Sequence, residues 1–192
     1  MKPSTLDILD KDLFEENRKV QGSFPETIHT FYAAPPIVNN PQYWDKYYFE
    51  VKDVIFNWQE FKYQDVVDKI IELDDKVGRA IGVYLMIVRP ETLIADCPKF
   101  VAYVGIAGER GSGRSLNERL KDYFRLDSVK KRPKVYSLLC KYRNFLYIKF
   151  SPLEVSPTEL EKIEMNLHGF FMPPFNERDF PVEIKNIKKS TF

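Results

Sequence analysis

Apolar and polar positions alternate with a different rhythm in different parts of this chain. Two unbroken apolar runs, "GVYLMIV" at 82–88 and "FVAYVGI" at 100–106, are short and predict buried strands. "NFLYIKF" at 144–150 predicts a third strand. Leu116, Leu120 and Tyr123 recur at helical spacing and predict a helix opened by Ser115, with Glu118 in capping-box position. Val135, Leu138, Leu139 and Tyr142 mark a second helix that starts at Pro133. Leu160, Ile163, Leu167 and Phe171 mark a third. Ser156 caps it, Pro157 takes its first position and Glu159 the reciprocal place, while Gly169 and the pair Pro173–Pro174 predict its end. The order strand, strand, helix, helix, strand, helix predicts an α+β domain over 81–180, built on a small three-stranded, mainly antiparallel sheet flanked by helices.

Residues 1–80 read as an N-terminal extension. A polar start leads to the loop "AAPPIVNNPQ", then "YYFEVKDVIFNW" at 47–58 with strand-like alternation. "QDVVDKIIELDDKV" at 64–77 spaces Val66, Val67, Ile70, Ile71 and Leu73 as an amphipathic helix. Residues 181–192, with "IKNIKK", form a basic tail.

Composition narrows the class. Of 192 residues, 44% are hydrophobic and 15% aromatic, enough for a real core. No apolar run approaches the ~20 residues of a membrane span, and the acidic start lacks a signal-like apolar region, so a cytoplasmic protein with no membrane partner is expected. Cys97 and Cys140 stand far apart outside any CxxC spacing and are expected to be reduced; with only His29 and His168 beside them, a zinc site is not expected.

Charge changes the picture more. Residues 1–80 hold 10 Lys/Arg against 15 Asp/Glu, whereas 110–143 hold 11 against 3. The basic block is interleaved with Tyr123, Phe124, Tyr136 and Tyr142, which suits a polyanion such as double-stranded DNA. Arg110, Arg114, Lys121, Arg125, Lys130, Lys131, Arg132 and Lys134 are its candidate contacts; a solvated charged face is the plainer reading. "GERGSGRS" at 108–115 has Walker A spacing, but Arg114 replaces the lysine and no further βαβ units follow, which argues against a nucleotide site.

Two helices put a charge on an apolar stripe. Arg119 lies three after Leu116, and Glu164 lies four after Leu160. An unpaired ion against a core costs several kcal/mol, roughly 3–5 when its partner is missing. Either they face a cleft, or they pair with something, in the plainest case with each other as a structural salt bridge, or each helix is rotated enough to expose them. With Tyr84 and Tyr103 on the neighbouring strands they make a set suited to phosphodiester hydrolysis: a fork for phosphate oxygens, a carboxylate for a hard cation, and hydroxyls aimed at one point.

Gly82-Val83-Tyr84, Tyr103-Val104-Gly105, Arg119 in the next helix, and the stretch from Glu164 through Pro173 to Asn176 together resemble the GIY-YIG nuclease family, over roughly half the chain. The loop "GIAGERGSGR" is closest to its restriction-enzyme branch. The resemblance implies a metal-dependent endonuclease cutting DNA, in restriction, phage defence or a mobile element. Tyr84 would orient or deprotonate the attacking water, Tyr103 would help place the phosphate, Arg119 would stabilise developing charge, and Asn176 would hold the site's edge. Glu164 would bind one Mg²⁺ or Mn²⁺. The chain departs from the pattern at Tyr123, where many relatives carry a histidine. Tyr123 as a third phenol, or His168 one turn from Glu164, could substitute; His168 as a surface or boundary residue is the plainer reading. With no separate DNA-binding module after 180, recognition is expected from 1–80, from loops, or from a second subunit; Tyr43, Trp44, Tyr47, Tyr48, Phe49, Phe56 and Trp58 offer aromatic surface for a homodimer or partner protein. A catalytically silent module that binds nucleic acid or protein is the alternative.

Overall fold

A computed structural model of the chain describes residues 41–66, 75–90, 99–110, 112–176, 180–182 and 185. His29, Cys97 and most of the predicted 64–77 helix and basic tail lie outside these residues.

The centre is an antiparallel sheet of four strands: β1 (Gln59–Lys62), β2 (Gly82–Val88), β3 (Phe100–Ala107) and β4 (Leu146–Pro152), in spatial order β1-β4-β2-β3. The strands β2 and β4 run full length beside each other, with Tyr84 opposite Phe150 and Met86 opposite Ile148. Every residue of β2 is buried, which accounts for its unbroken apolar sequence.

The expected three strands are thus four, and the fourth comes from the stretch read as an extension. Gln59–Lys62 is short and polar, and it pairs with β4 at the sheet edge, where half its side chains meet solvent. Two bonds from the Arg89 guanidinium to the Glu60 carboxylate, at 2.6 and 2.7 Å, tie it to the end of β2. The bonding by Arg89 lowers the Glu60 carboxyl below its ordinary range.

The expected strand at 47–58 is also not found. Pro41–Tyr48 forms helix α1, and turns and irregular chain carry residues 49–58. Proline at the first position favours the helix, and Tyr47 is buried where a Cβ on Gly169 would overlap its ring. Gly169 therefore admits α1 rather than ending a helix. Phe56 and Trp58 stack at 5.0 Å and pack inward, while Tyr48, Phe49 and Ile55 remain exposed.

After the short helix α2 (Asp75–Arg79) and the β2–β3 pair, α3 (Leu116–Lys121), α4 (Leu126–Lys130) and α5 (Pro133–Tyr142) cover one face of the sheet. Their Leu116, Leu120, Leu138 and Leu139, with Tyr123 from the 3-10 turn Asp122–Phe124 that follows α3, pack with Tyr84, Met86 and Ile148. The helix α6 (Pro157–Phe171) covers the other face, setting Leu160, Ile163 and Leu167 against Val83, Leu85, Val104 and Ile106. Burial of each such side chain contributes about 1.5–3 kcal/mol. Both predicted capping boxes, at Ser115–Glu118 and Ser156–Glu159, are formed. The last helix runs past Gly169 to Phe171, and Met172 in left-handed conformation (φ 45°) ends it. Among the described residues no helix is long and apolar enough to cross a membrane, and Cys140 is a free, buried thiol.

Candidate active site

Two local devices bring the strand tyrosines together. The first is the strand register. Tyr84 pairs with Gly105 and Met86 with Tyr103, so Tyr103 lies on the same face as Tyr84, and their rings lie 6.3 Å apart in near-parallel planes. Beyond Tyr103 the register shifts: Ile87 pairs with Val101, so Ala102 is an extra residue on β3. The second is Gly105, the partner of Tyr84 across the pair. A Cβ there would overlap the Tyr84 ring and hydroxyl. Only a glycine leaves the phenol its space.

Tyr123 completes the aromatic group, edge-on to Tyr84 at 5.7 Å and to Tyr103 at 6.3 Å. The Tyr84 and Tyr123 hydroxyls are hydrogen-bonded at 2.6 Å, and both rings are fully buried. Arg119, one helical turn before Tyr123 on α3, donates from Nε to the Tyr84 hydroxyl at 3.2 Å. The expected charge on the apolar stripe therefore turns toward the tyrosines. Its Nη1 lies 3.9 Å from Glu109 Oε1.

Protonation follows burial. Desolvation raises the phenols of Tyr103 and Tyr123 above their ordinary range; Tyr84 adds to both, Tyr103 adds to Tyr123, and the hydrogen bond with Tyr123 opposes the rise at Tyr103. The Arg119 guanidinium is held above its ordinary range chiefly by Tyr84, with burial opposing. Glu164 is half-buried on α6, and its charge reaches Tyr103 and raises that phenol further.

Asn176 does not join the phenols. It clips the outer edge of β3: the Val104 amide donates to its Oδ1 at 2.9 Å, and its Nδ2 donates to the Val104 carbonyl at 2.8 Å. The Phe175 amide donates to Ala102 O at 3.0 Å. These bonds fix the strand on both sides of Tyr103. His168 is fully buried rather than at the surface. Its Nε2 lies 3.3 Å from the same Val104 carbonyl, and its ring packs on Phe180. The apolar stripe of α6 did not betray this, because the partner of His168 is a backbone carbonyl distant in sequence.

The basic block divides into two groups. Arg110, Arg125, Lys130 and Lys131 are exposed; Lys121 and Lys134 are half-buried. Arg114 and Arg132 converge on the buried Asp122 carboxylate, at 2.7 and 3.2 Å from its Oδ2. The Arg132 guanidinium also lies over the Tyr123 ring, 5.4 Å from its centre. Asp122 and Glu109 had not been singled out from the sequence. A signal was present for Asp122: it is one of three acids in a strongly basic stretch, and Glu118 is already committed to a cap.

Among the described residues no group of three or more His, Cys, Asp or Glu could hold a metal ion. What Glu164 offers a cation is the oxygen set of a half-buried carboxylate whose charge bears on Tyr103. That all-oxygen set fits a hard divalent ion that draws its other ligands from water and phosphate. Comparison with protein-family models, with curated proteins and with solved structures gave no match.

Proposed function

We propose that the chain is a metal-dependent endonuclease of GIY-YIG type that hydrolyses DNA phosphodiester bonds. The observation that carries the reading is the hydrogen-bonded group of Arg119, Tyr84 and Tyr123, buried beside Tyr103 and within electrostatic reach of Glu164. Three of these side chains, Tyr84, Tyr123 and Arg119, are joined by hydrogen bonds, and a core has no need of such a group.

In this reading the Arg119 fork meets the phosphate oxygens and stabilises the charge that grows as water attacks. Tyr84, whose oxygen already faces the Arg119 guanidinium, orients the attacking water, and the proton that the water loses passes to solvent. Tyr103, kept neutral by burial, donates its O–H to the substrate and helps fix the phosphate. Glu164 holds the Mg²⁺ or Mn²⁺, which when bound stabilises the leaving oxygen. The exposed cations of 110–134 follow the DNA backbone, and the exposed Tyr48, Phe49 and Ile55 offer apolar surface to a second copy or a partner protein.

A second reading has its own support. Tyr84 is wholly buried and its hydroxyl is engaged on two sides, as in a module that binds without cutting. Supercoiled plasmid decides between them. Nicking is expected with Mg²⁺ and not with chelator, and Glu164→Gln is expected to lower the rate at least about a hundred-fold with DNA affinity in chelator unchanged. Cleavage by Glu164→Gln at the parent rate would remove the metal assignment. Binding without any nicking would favour the silent module.

A further inference from the structure

Glu109 stands two residues beyond β3, on the loop that faces Arg119. Its Oε1 lies 3.9 Å from Arg119 Nη1, and its Oε2 is buried with no hydrogen-bond partner among the described residues. At 3.9 Å the contact is charge attraction rather than a hydrogen bond, so it steers the guanidinium without consuming its N–H groups. The other side of the guanidinium is held by Nε donating to Tyr84.

The loop that carries Glu109 is itself anchored. The Arg110 amide donates to Glu161 Oε1 at 3.1 Å, and the Arg110 guanidinium donates to Thr158 Oγ1. Both acceptors are on α6, the helix that bears Glu164. Gly108 takes a left-handed turn (φ 99°) in which any Cβ would overlap Ile81. A buried carboxylate oxygen with no donor is costly to keep. A carboxylate beside a phosphate-binding arginine also repels the phosphate. Neither belongs at this place unless the carboxylate serves the cation.

We propose that Glu109 is a positioning residue for Arg119: it holds the guanidinium plane so that Nε stays on Tyr84 and the outer nitrogens face the cleft. The structural part of this proposal is independent of activity; its catalytic consequence rests on the nuclease reading. The test uses the full chain in two measurements. In the DNA-free protein, ¹⁵N relaxation of the Arg119 Nε–H group is expected to report an ordered side chain, and a clearly looser one in Glu109→Gln, at unchanged melting temperature. Under cleavage conditions Glu109→Gln is expected to lower kcat about ten-fold with KM unchanged, and to add no loss to Arg119→Ala. An Arg119 side chain equally ordered in Glu109→Gln overturns the proposal whatever the activity. Faster cleavage by Glu109→Gln also overturns it, because Glu109 would then be a brake. A loosened Arg119 in a protein whose parent never nicks DNA would uphold the positioning role and sink the nuclease reading.

Discussion

Three phenols and a guanidinium share a volume largely closed to water. Tyr123 is pushed up by desolvation and keeps its proton. Its hydroxyl and that of Tyr84 share a bond of 2.6 Å, and the Tyr84 oxygen also accepts from Arg119 Nε. Tyr123→Phe keeps the ring and deletes the bond between the two hydroxyls. It is expected to cost about 1 kcal/mol of stability, read from denaturant melts, and to slow cleavage more than it weakens DNA binding. The phenols also predict a pH limit. Tyr63, Tyr103 and Tyr123 are all raised by burial, so the folded chain holds protons that the unfolded chain gives up near pH ~10. Stability from this source is complete below that value and falls as pH climbs above it. Absorbance at 295 nm, followed with circular dichroism, is expected to show these phenols ionising only as the fold is lost. Their ionisation within an intact fold would contradict the assignment.

At the scale of the element, β3 is an edge strand that is not left open. The 175–176 segment occupies its outer hydrogen-bonding groups, through the Asn176 side chain and the Phe175 amide. Asn176→Ala removes both side-chain bonds to Val104. It is expected to destabilise by about 1–3 kcal/mol and to speed hydrogen exchange at Val104 and its neighbours before the rest of the sheet. Uniform exchange across all strands would show that the clip is not local. The parts of this arrangement differ in how far they could be read from the sequence. The strands β2 and β3 and the helices α3, α5 and α6 were legible because each carries its own signal: an unbroken apolar run, a spaced stripe, a capping box. The four-residue β1 was not, since "QEFK" has no apolar pattern and becomes a strand only by pairing with β4. The Ala102 bulge is equally silent in sequence, yet it shifts the start of β3 against β2. Tyr84, Tyr103, Arg119 and Glu164 stood out as charges or hydroxyls in apolar surroundings. Glu109 did not, because a glycine-rich loop gives a carboxylate no face to break.

At the scale of the molecule, the acidic first 80 residues and the basic stretch 110–143 divide the charge of a nearly neutral chain. Within that acidic region Gln59–Lys62 contributes a strand to the sheet, so this part of it belongs to the same folded body as the basic helices. The basic stretch is less free than its composition implies, because the buried Asp122 occupies Arg114 and Arg132. A phosphate backbone would therefore meet the exposed Arg125, Lys130 and Lys131 first. Each phosphate contact releases counterions and contributes about 0.9 to the slope of log K against log salt. Replacing these three residues together with glutamine is expected to flatten the slope by about 2–3, with the melting temperature unchanged. Arg114→Gln should behave differently. It removes one of the two cations on a buried carboxylate, and is expected to lower stability more than it alters the slope. Fluorescence anisotropy on a short duplex across a salt series, beside thermal melts of the same variants, separates the two classes. A slope unchanged by the triple replacement would make 110–143 a solvated face and remove DNA as its partner.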